Sequence, residues 1–258
     1  MKIFLLIEDE CTYQPAIFDK LIRRLEGQVV GIGLVPFDPR NKGLKFYRYY
    51  LRFLGAKSFF QKVIQVLKQL IRRYTGISRL GGPPASIVEL AARHRLPLLR
   101  AASPNKKEFR KKVAGLSPDL IISSQGFLLK KGILSIAPLG CLNRHAALLP
   151  RYRGIYPIFW AMLNDEREIG ISVHFMNEKY DDGRIIVQEK INVEPSDTFF
   201  SLYGKVIEKT PGLFLEAIRR IKENDIPDIS NRAEDGEYFS YPGKDDIHLF
   251  REKGKRMI

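Results

Sequence analysis

Short apolar runs separated by stretches with helical spacing dominate the pattern of this chain. Residues 3–7 and 29–35 are near-continuous apolar runs of strand length, and between them Ile17, Leu21, Ile22 and Leu25 recur along one helical face. The alternation continues. Strands are predicted at 98–101, at 118–123, in the run ending at Asn143, at 169–176 and at 184–193. Helices are predicted at 15–25, at 106–113, at 156–163 and from a cap at Asp197 to about residue 207, with Pro211 reopening a helix to 221. Ser86-Ile87-Val88-Glu89 has the spacing of a capping box and opens a helix to about His94. Residues 46–54 and 59–74 read as two basic amphipathic helices parted near Gly55, and 126–133 as a loop or short helix. Strands alternating with helices predict an α/β, Rossmann-like fold: a mostly parallel sheet with helices on both faces.

Composition narrows this little. At 258 residues and 45% hydrophobic content the chain suits one sizeable core. We expect one catalytic domain at 1–225, carrying a basic helical insert at about 39–80. Residues 226–258 read as a short extension, with the aromatic segment at 238–242 and a charged helix from Asp245. The first apolar run is too short for a signal-peptide core, and no run reaches the roughly 18 apolar residues of a membrane span. Two cysteines, Cys11 and Cys141, make neither a disulfide framework nor a metal cluster, which points to a cytoplasmic setting without a metal. Gly31-x-Gly33 lacks a third glycine and a following helix start, so it is not read as a dinucleotide site.

Charge changes the picture more. The formal net charge is +14, and no acidic residue lies between Asp38 and Glu89. That stretch holds Arg40, Lys42, Lys45, Arg48, Arg52, Lys57, Lys62, Lys68, Arg72, Arg73 and Arg79. Such a block suits an anionic partner: a membrane surface, a nucleic acid such as tRNA, or a phosphorylated substrate. A solvated face over a sheet edge is the plainer reading, weakened by the complete lack of acids.

The candidate chemistry begins where the apolar run at 140–142 ends in Asn143, with His145 two positions on. Period-two alternation puts both on one side of a strand exit, where open α/β sheets place ligand clefts. Some 35 residues later come Asp181, Asp182 and Gly183, ahead of another apolar run. An amide, an imidazole and a carboxylate suit chemistry on a carbonyl: the amide holds the oxygen, the imidazole moves protons or steadies an oxyanion, and the carboxylate sets the imidazole's charge. Taken singly, each has a plainer role as a strand-closing, boundary or turn residue. His174 reads equally as a partner of Asp181 or as exposed. His94 and His248 read as surface, Trp160 as helix core, and Arg151 and Arg153 as loop pins ahead of contacts to an anionic acceptor.

Asn143-x-His145, Leu148-Leu149-Pro150-x-Tyr152-Arg153-Gly154, Pro157, Trp160-Ala161, Asp181-x-Gly183-x-Ile185, Asp197-Thr198 and Ser201-Leu202 together resemble the folate-dependent formyltransferase family. The likeness is specific from about Pro118 to Leu215 and loose over residues 1–100. It implies Asn143, His145 and Asp181 as the catalytic trio and 10-formyltetrahydrofolate as formyl donor. It implies folate contacts from the backbone of Leu128, Leu129 and Lys130 and from the loop bearing Asn177, Tyr180 and Asp182. The implied reaction is formyl transfer to a primary amine, foremost a phosphorylated amino sugar. Initiator methionyl-tRNA is the alternative acceptor, and a non-catalytic binding protein of the same fold the alternative role. Two positions depart from the family pattern: Ala147 replaces a usual serine, and Arg144 a usual apolar residue.

Overall fold

The computed structural model describes residues 1–37, 43–75 and 82–258. Parts of the basic insert, with Arg40, Lys42 and Arg79, lie outside the described residues. The described elements are β1 (Ile3–Glu8), α1 (Gln14–Arg24), β2 (Val29–Val35), α2 (Leu44–Leu54), α3 (Ala56–Thr75), α4 (Ile87–Arg93), β3 (Leu98–Arg100), α5 (Lys107–Gly115) and β4 (Leu120–Ser124). They continue with α6 (Lys131–Leu134), β5 (Cys141–His145), β6 (Arg153–Gly154), α7 (Pro157–Leu163), β7 (Glu168–Phe175), β8 (Ile185–Asn192), α8 (Phe199–Glu223), β9 (Tyr238–Phe239) and α9 (Lys244–Glu252). Seven strands form a mostly parallel sheet in the order β3-β2-β1-β4-β5-β7-β8. The β1–β2, β1–β4, β2–β3 and β4–β5 pairs are parallel and β7–β8 antiparallel. This is the Rossmann-like class expected from the alternation of elements.

Two compact units are present: Met1–Arg40, Val63–Asn143 and Phe175–Lys179 form the first, and Asn41–Lys62, Arg144–His174 and Tyr180–Ile258 the second. In the first, Phe4, Leu6, Phe109, Val113, Ile121, Leu129 and Cys141 pack one apolar core. The two glycines set aside as a nucleotide signal have a packing explanation. A Cβ on Gly33 would come within 2.8 Å of Phe109 and 2.9 Å of Phe4, so β2 keeps glycine to let the aromatic rings lie against its backbone. Ser86 caps α4 as its spacing predicts, accepting from the Glu89 N–H at 3.1 Å. His94 is not a surface residue: its Nε2 lies 2.7 Å from Asp19 Oδ1, and the two side chains shield each other.

The second unit is held by aromatic stacking. Phe53 of α2 lies 4.7 Å from Tyr156, and Phe159 of α7 lies 4.6 Å from Phe250 of α9. Here α8 corrects the sequence reading, for it runs unbroken through Pro211. Proline removes one backbone donor. The helix persists because Leu202, Val206, Thr210, Leu213, Phe214, Ala217 and Ile218 bury one long face. Its cap is Thr198, not Asp197. Thr198 and Ser201 exchange side-chain-to-backbone bonds, while Asp197 accepts from the Glu194 N–H and pairs with Lys205. The sequence also gave no sign of the parallel pairing of β6 with β9, which ties Arg153 to Tyr238 and Gly154 to Phe239.

Candidate active site

Asn143 and His145 both lie on β5, whose first residues, Cys141 and Leu142, are buried. Asn143 is half-buried, pairs with Ser123 of β4 and closes the first unit. His145, 6% exposed, belongs to the second unit together with His174 and Asp181. Beyond β5 the chain turns under the control of Ser172, a fully buried side chain on β7. Its hydroxyl donates to the Ala147 carbonyl (2.6 Å) and accepts from the Leu149 N–H (3.0 Å).

His145 is fixed at both ring nitrogens. Nε2 lies 2.7 Å from the Tyr152 carbonyl, and because a carbonyl only accepts, Nε2 carries the proton. Nδ1 faces Asp181 Oδ2 at 3.5 Å. Tyr152 adopts a left-handed backbone (φ 57°) that turns its carbonyl to the ring. Gly154 (φ 95°) then donates its N–H to Asp181 Oδ2 at 3.0 Å. Glycine is required there because a Cβ would sit 2.2 Å from the Phe239 carbonyl oxygen. The Tyr-Arg-Gly part of the motif thus supplies the backbone groups that hold the histidine and the aspartate. His174, 2% exposed, resolves in favour of a partner role, with Nε2 3.6 Å from Asp181 Oδ1.

The electrostatics follow from burial and these contacts. Burial opposes ionisation of Asp181, but His145, His174 and the Gly154 N–H outweigh it and hold the carboxyl far below the usual carboxylate range. For His145 burial dominates and pushes the pKa down, against the opposing pull of Asp181 and the Tyr152 carbonyl; Arg144 adds to the depression. Both shifts favour a carboxylate facing a neutral imidazole near neutral pH. Nε2 is thus committed to the Tyr152 carbonyl, while Nδ1 faces the Asp181 carboxylate.

The aspartate loop is clamped from a distance in sequence. Asn231 Nδ2 donates to the carbonyls of Asp181 (3.1 Å) and Gly183 (2.7 Å). Arg153 donates to the Asn231 side-chain oxygen (2.8 Å) and backbone carbonyl (2.9 Å), and pairs with Asp182 at 3.2 Å. Asp182 is thus engaged by Arg153, which serves as the loop pin. Tyr180 is 40% exposed, with its ring 6.3 Å from Tyr238. Asn231 had no sequence signal, being a lone amide in an irregular stretch.

The remaining residues expected to meet folate lie in the first unit. The Leu128 carbonyl accepts from Asn105 Nδ2 and the Lys130 N–H donates to Asn105 Oδ1, both at 2.9 Å. The Leu129 side chain is in the core. Asn177 Oδ1 accepts from the Lys179 N–H at 2.9 Å. Asn105, a second amide that the sequence did not flag, shapes this segment. It takes up the Lys130 donor but leaves the Leu128 oxygen its second lone pair.

A family model described as formyl transferase matches residues 54–218. The chain is 32% identical over 170 residues to a methionyl-tRNA formyltransferase of Desulforamulus reducens, a match covering 66% of this chain and 53% of the relative. The chain thus spans about half the length of the curated relatives it matches. Among solved structures, glycinamide ribonucleotide transformylase 1 from Symbiobacterium toebii superposes with a TM-score of 0.58 at 20% identity, covering 90% of this chain and 92% of that one. An N-formyltransferase from Helicobacter canadensis, solved with folinic acid and dTDP-3-aminofucose, also gives 0.58, at 15% identity, covering 100% of this chain and 84% of that one. At these identities the structural likeness speaks to the fold, while the family match takes in more than half of the chain, including β5 and the aspartate loop: this protein belongs to the formyl transferase family.

Proposed function

We propose that the protein transfers a formyl group from a 10-formyltetrahydrofolate-type donor to a primary amine. The observation that carries this reading is His145, oriented by the Tyr152 carbonyl and facing the ionised Asp181, two positions after Asn143 on one strand.

The donor set at Leu128, Leu129 and Lys130 fits a flat heterocycle in part. The Leu128 carbonyl can accept a further bond, whereas the Lys130 N–H is committed to Asn105. Asn177, Tyr180 and Asp182 complete the proposed folate contacts. When bound, the folate would supply a formyl carbon open to attack by the amine, with its own nitrogen as the leaving group. Asn143 would donate its amide N–H to the formyl oxygen, and a donor placed there is typically worth 10²–10³ in rate. His145, whose Nε2 is held by the Tyr152 carbonyl, would take the amine's proton at Nδ1 and return it to the folate nitrogen as the bond from that nitrogen to the formyl carbon breaks. Asp181 then faces an imidazolium, and the attraction grows as the reaction proceeds, which is the condition for accelerating it.

For the acceptor we favour an anionic amine, foremost a phosphorylated amino sugar. The superposition on an N-formyltransferase solved with dTDP-3-aminofucose supports this reading at the level of fold. Methionyl-tRNA is the second reading, favoured by the identity to methionyl-tRNA formyltransferases. The test offers 10-formyltetrahydrofolate with amino-sugar nucleotides and with methionyl-tRNA, using the wild type and Asn143→Ala. Transfer to one class, reduced about 10²–10³-fold by Asn143→Ala with Tm unchanged, is expected. Transfer to neither class, with folate still bound, refutes catalysis in favour of a binding role.

A further inference from the structure

The helix α3 is amphipathic in the usual sense but turned outward. At about 100° per residue, Phe60, Ile64, Leu67 and Ile71 fall within an arc of about 60°. All four are more than half exposed. Val63 and Tyr74 border this strip on one side and are exposed as well, and the exposed Lys57 and Lys68 border it on the other. The preceding helix repeats the arrangement: Leu44, Tyr47 and Leu51 are exposed at helical spacing among the exposed Lys45, Arg48 and Arg52. Neither helix is adrift. Phe53 anchors α2 in the aromatic core, Lys62 lies 3.8 Å over the Phe200 ring, and Arg72 donates to the Pro83 carbonyl at 3.2 Å. A run of exposed apolar side chains on anchored helices marks a contact surface.

We infer that the outward apolar strip of α3 is a docking surface for an anionic lipid bilayer. The argument is complementarity. The stretch from 39 to 88 contains no carboxylate, so every charge bordering the apolar strip is positive. A second copy of this chain would bring the same cations to the contact, and like charges would face each other. An RNA would satisfy the cations but offers nothing apolar for Ile64, Leu67 and Ile71. A bilayer interface satisfies both: aliphatic and aromatic side chains enter the headgroup–acyl boundary while lysine and arginine meet anionic headgroups. Among the described residues no helix is long and apolar enough to cross a membrane, so the contact is one of lying on the surface. This inference is independent of the formyl-transfer reading.

The test co-sediments the full chain with vesicles of phosphatidylcholine alone and of phosphatidylcholine with phosphatidylglycerol, at low and high salt. Lys57→Glu/Lys68→Glu and Ile64→Asp/Leu67→Asp are run beside it after circular dichroism has confirmed their folding. Their side chains are exposed, so both should fold. Binding to the phosphatidylglycerol vesicles alone is expected. The charge reversal should weaken it at least about tenfold at low salt, since each cation at an anionic surface contributes roughly a fivefold factor. The apolar-face variant should lose binding at both salt concentrations. The inference is overturned if the wild type stays in the supernatant, or if the apolar-face variant binds like wild type, which would make the attraction purely electrostatic. It is also overturned if a tRNA, and not the vesicles, binds with the same variant sensitivity. Lipid-free dimerisation abolished by Ile64→Asp/Leu67→Asp would assign the face to a second copy instead.

Discussion

Replacing Asp181 by asparagine keeps the shape of the loop and removes the charge on which the proposed chemistry depends. A full charge pair at the 3.5 Å separating Asp181 Oδ2 from His145 Nδ1 is worth about 4–5 kcal/mol at an effective dielectric near 20. That attraction exists only once the ring has taken a proton, so its loss falls on the chemical step and not on substrate binding. We expect Asp181→Asn to lower kcat by on the order of 10³ with KM little changed. A second readout needs no acceptor: in NMR titration of isotopically labelled histidine, the His145 pKa should move further down, because the carboxylate that opposes its burial is gone. Folding should persist, as the amide can still accept from the Gly154 N–H. A variant that retains more than a tenth of wild-type kcat, or a His145 titration that does not move, would refute the charge coupling described here.

Gly154→Ala should destabilise the protein strongly. The positive φ and the approach of the Phe239 carbonyl to within 2.2 Å of the new Cβ imply a loss of about 2–4 kcal/mol. Differential scanning calorimetry should show Tm lower by roughly 5–15 °C, and an unchanged Tm would mean that the β6–β9 pairing is absent. Asn231→Ala removes two bonds to the aspartate loop and one from Arg153. At about 1 kcal/mol each, we expect roughly 2–3 kcal/mol in chemical denaturation, with kcat falling more than KM rises; intact kcat would show that the loop holds itself. Acid should act on the wild type in two stages. The depressed pKa of His145 means that the unfolded chain binds a proton first, so stability declines as pH falls below about 6.5. The depressed pKa of Asp181 adds a steeper loss below about pH 4. Tm measured against pH should fall less steeply on the acid side in Asp181→Asn than in the wild type, because Asp19, Asp165, Asp197 and Glu216, whose pKa values are also lowered, still contribute there.

What the sequence conveyed and what it withheld divide along physical lines. Features built from neighbours in the chain were legible: β2 at 29–35, the Ser86 capping box, the helix break at Gly55, and Asn143 and His145 on one strand. So was the amphipathic pattern of α3, though not that its apolar side faces outward, since a period says nothing about which side is covered. Contacts made by single amides across long stretches of chain left no trace. Asn231 reaches Asp181 from 50 residues away, and Asn105 reaches Leu128 from 23. The run through Pro211 was missed because local propensity forbids what the buried face of α8 enforces.

The bonds from Asn231 and the pairing of Tyr238 and Phe239 with Arg153 and Gly154 also set a timetable. A ribosome releases Asn143, His145 and Asp181 well before the segment that fixes the aspartate loop, and contacts between distant segments close last. The nascent chain therefore carries its proposed catalytic side chains for many residues of synthesis without their final support. Competence would arrive abruptly, when residues 231–239 dock. A protease cutting ahead of that segment could silence the site while leaving the first unit's core uncut.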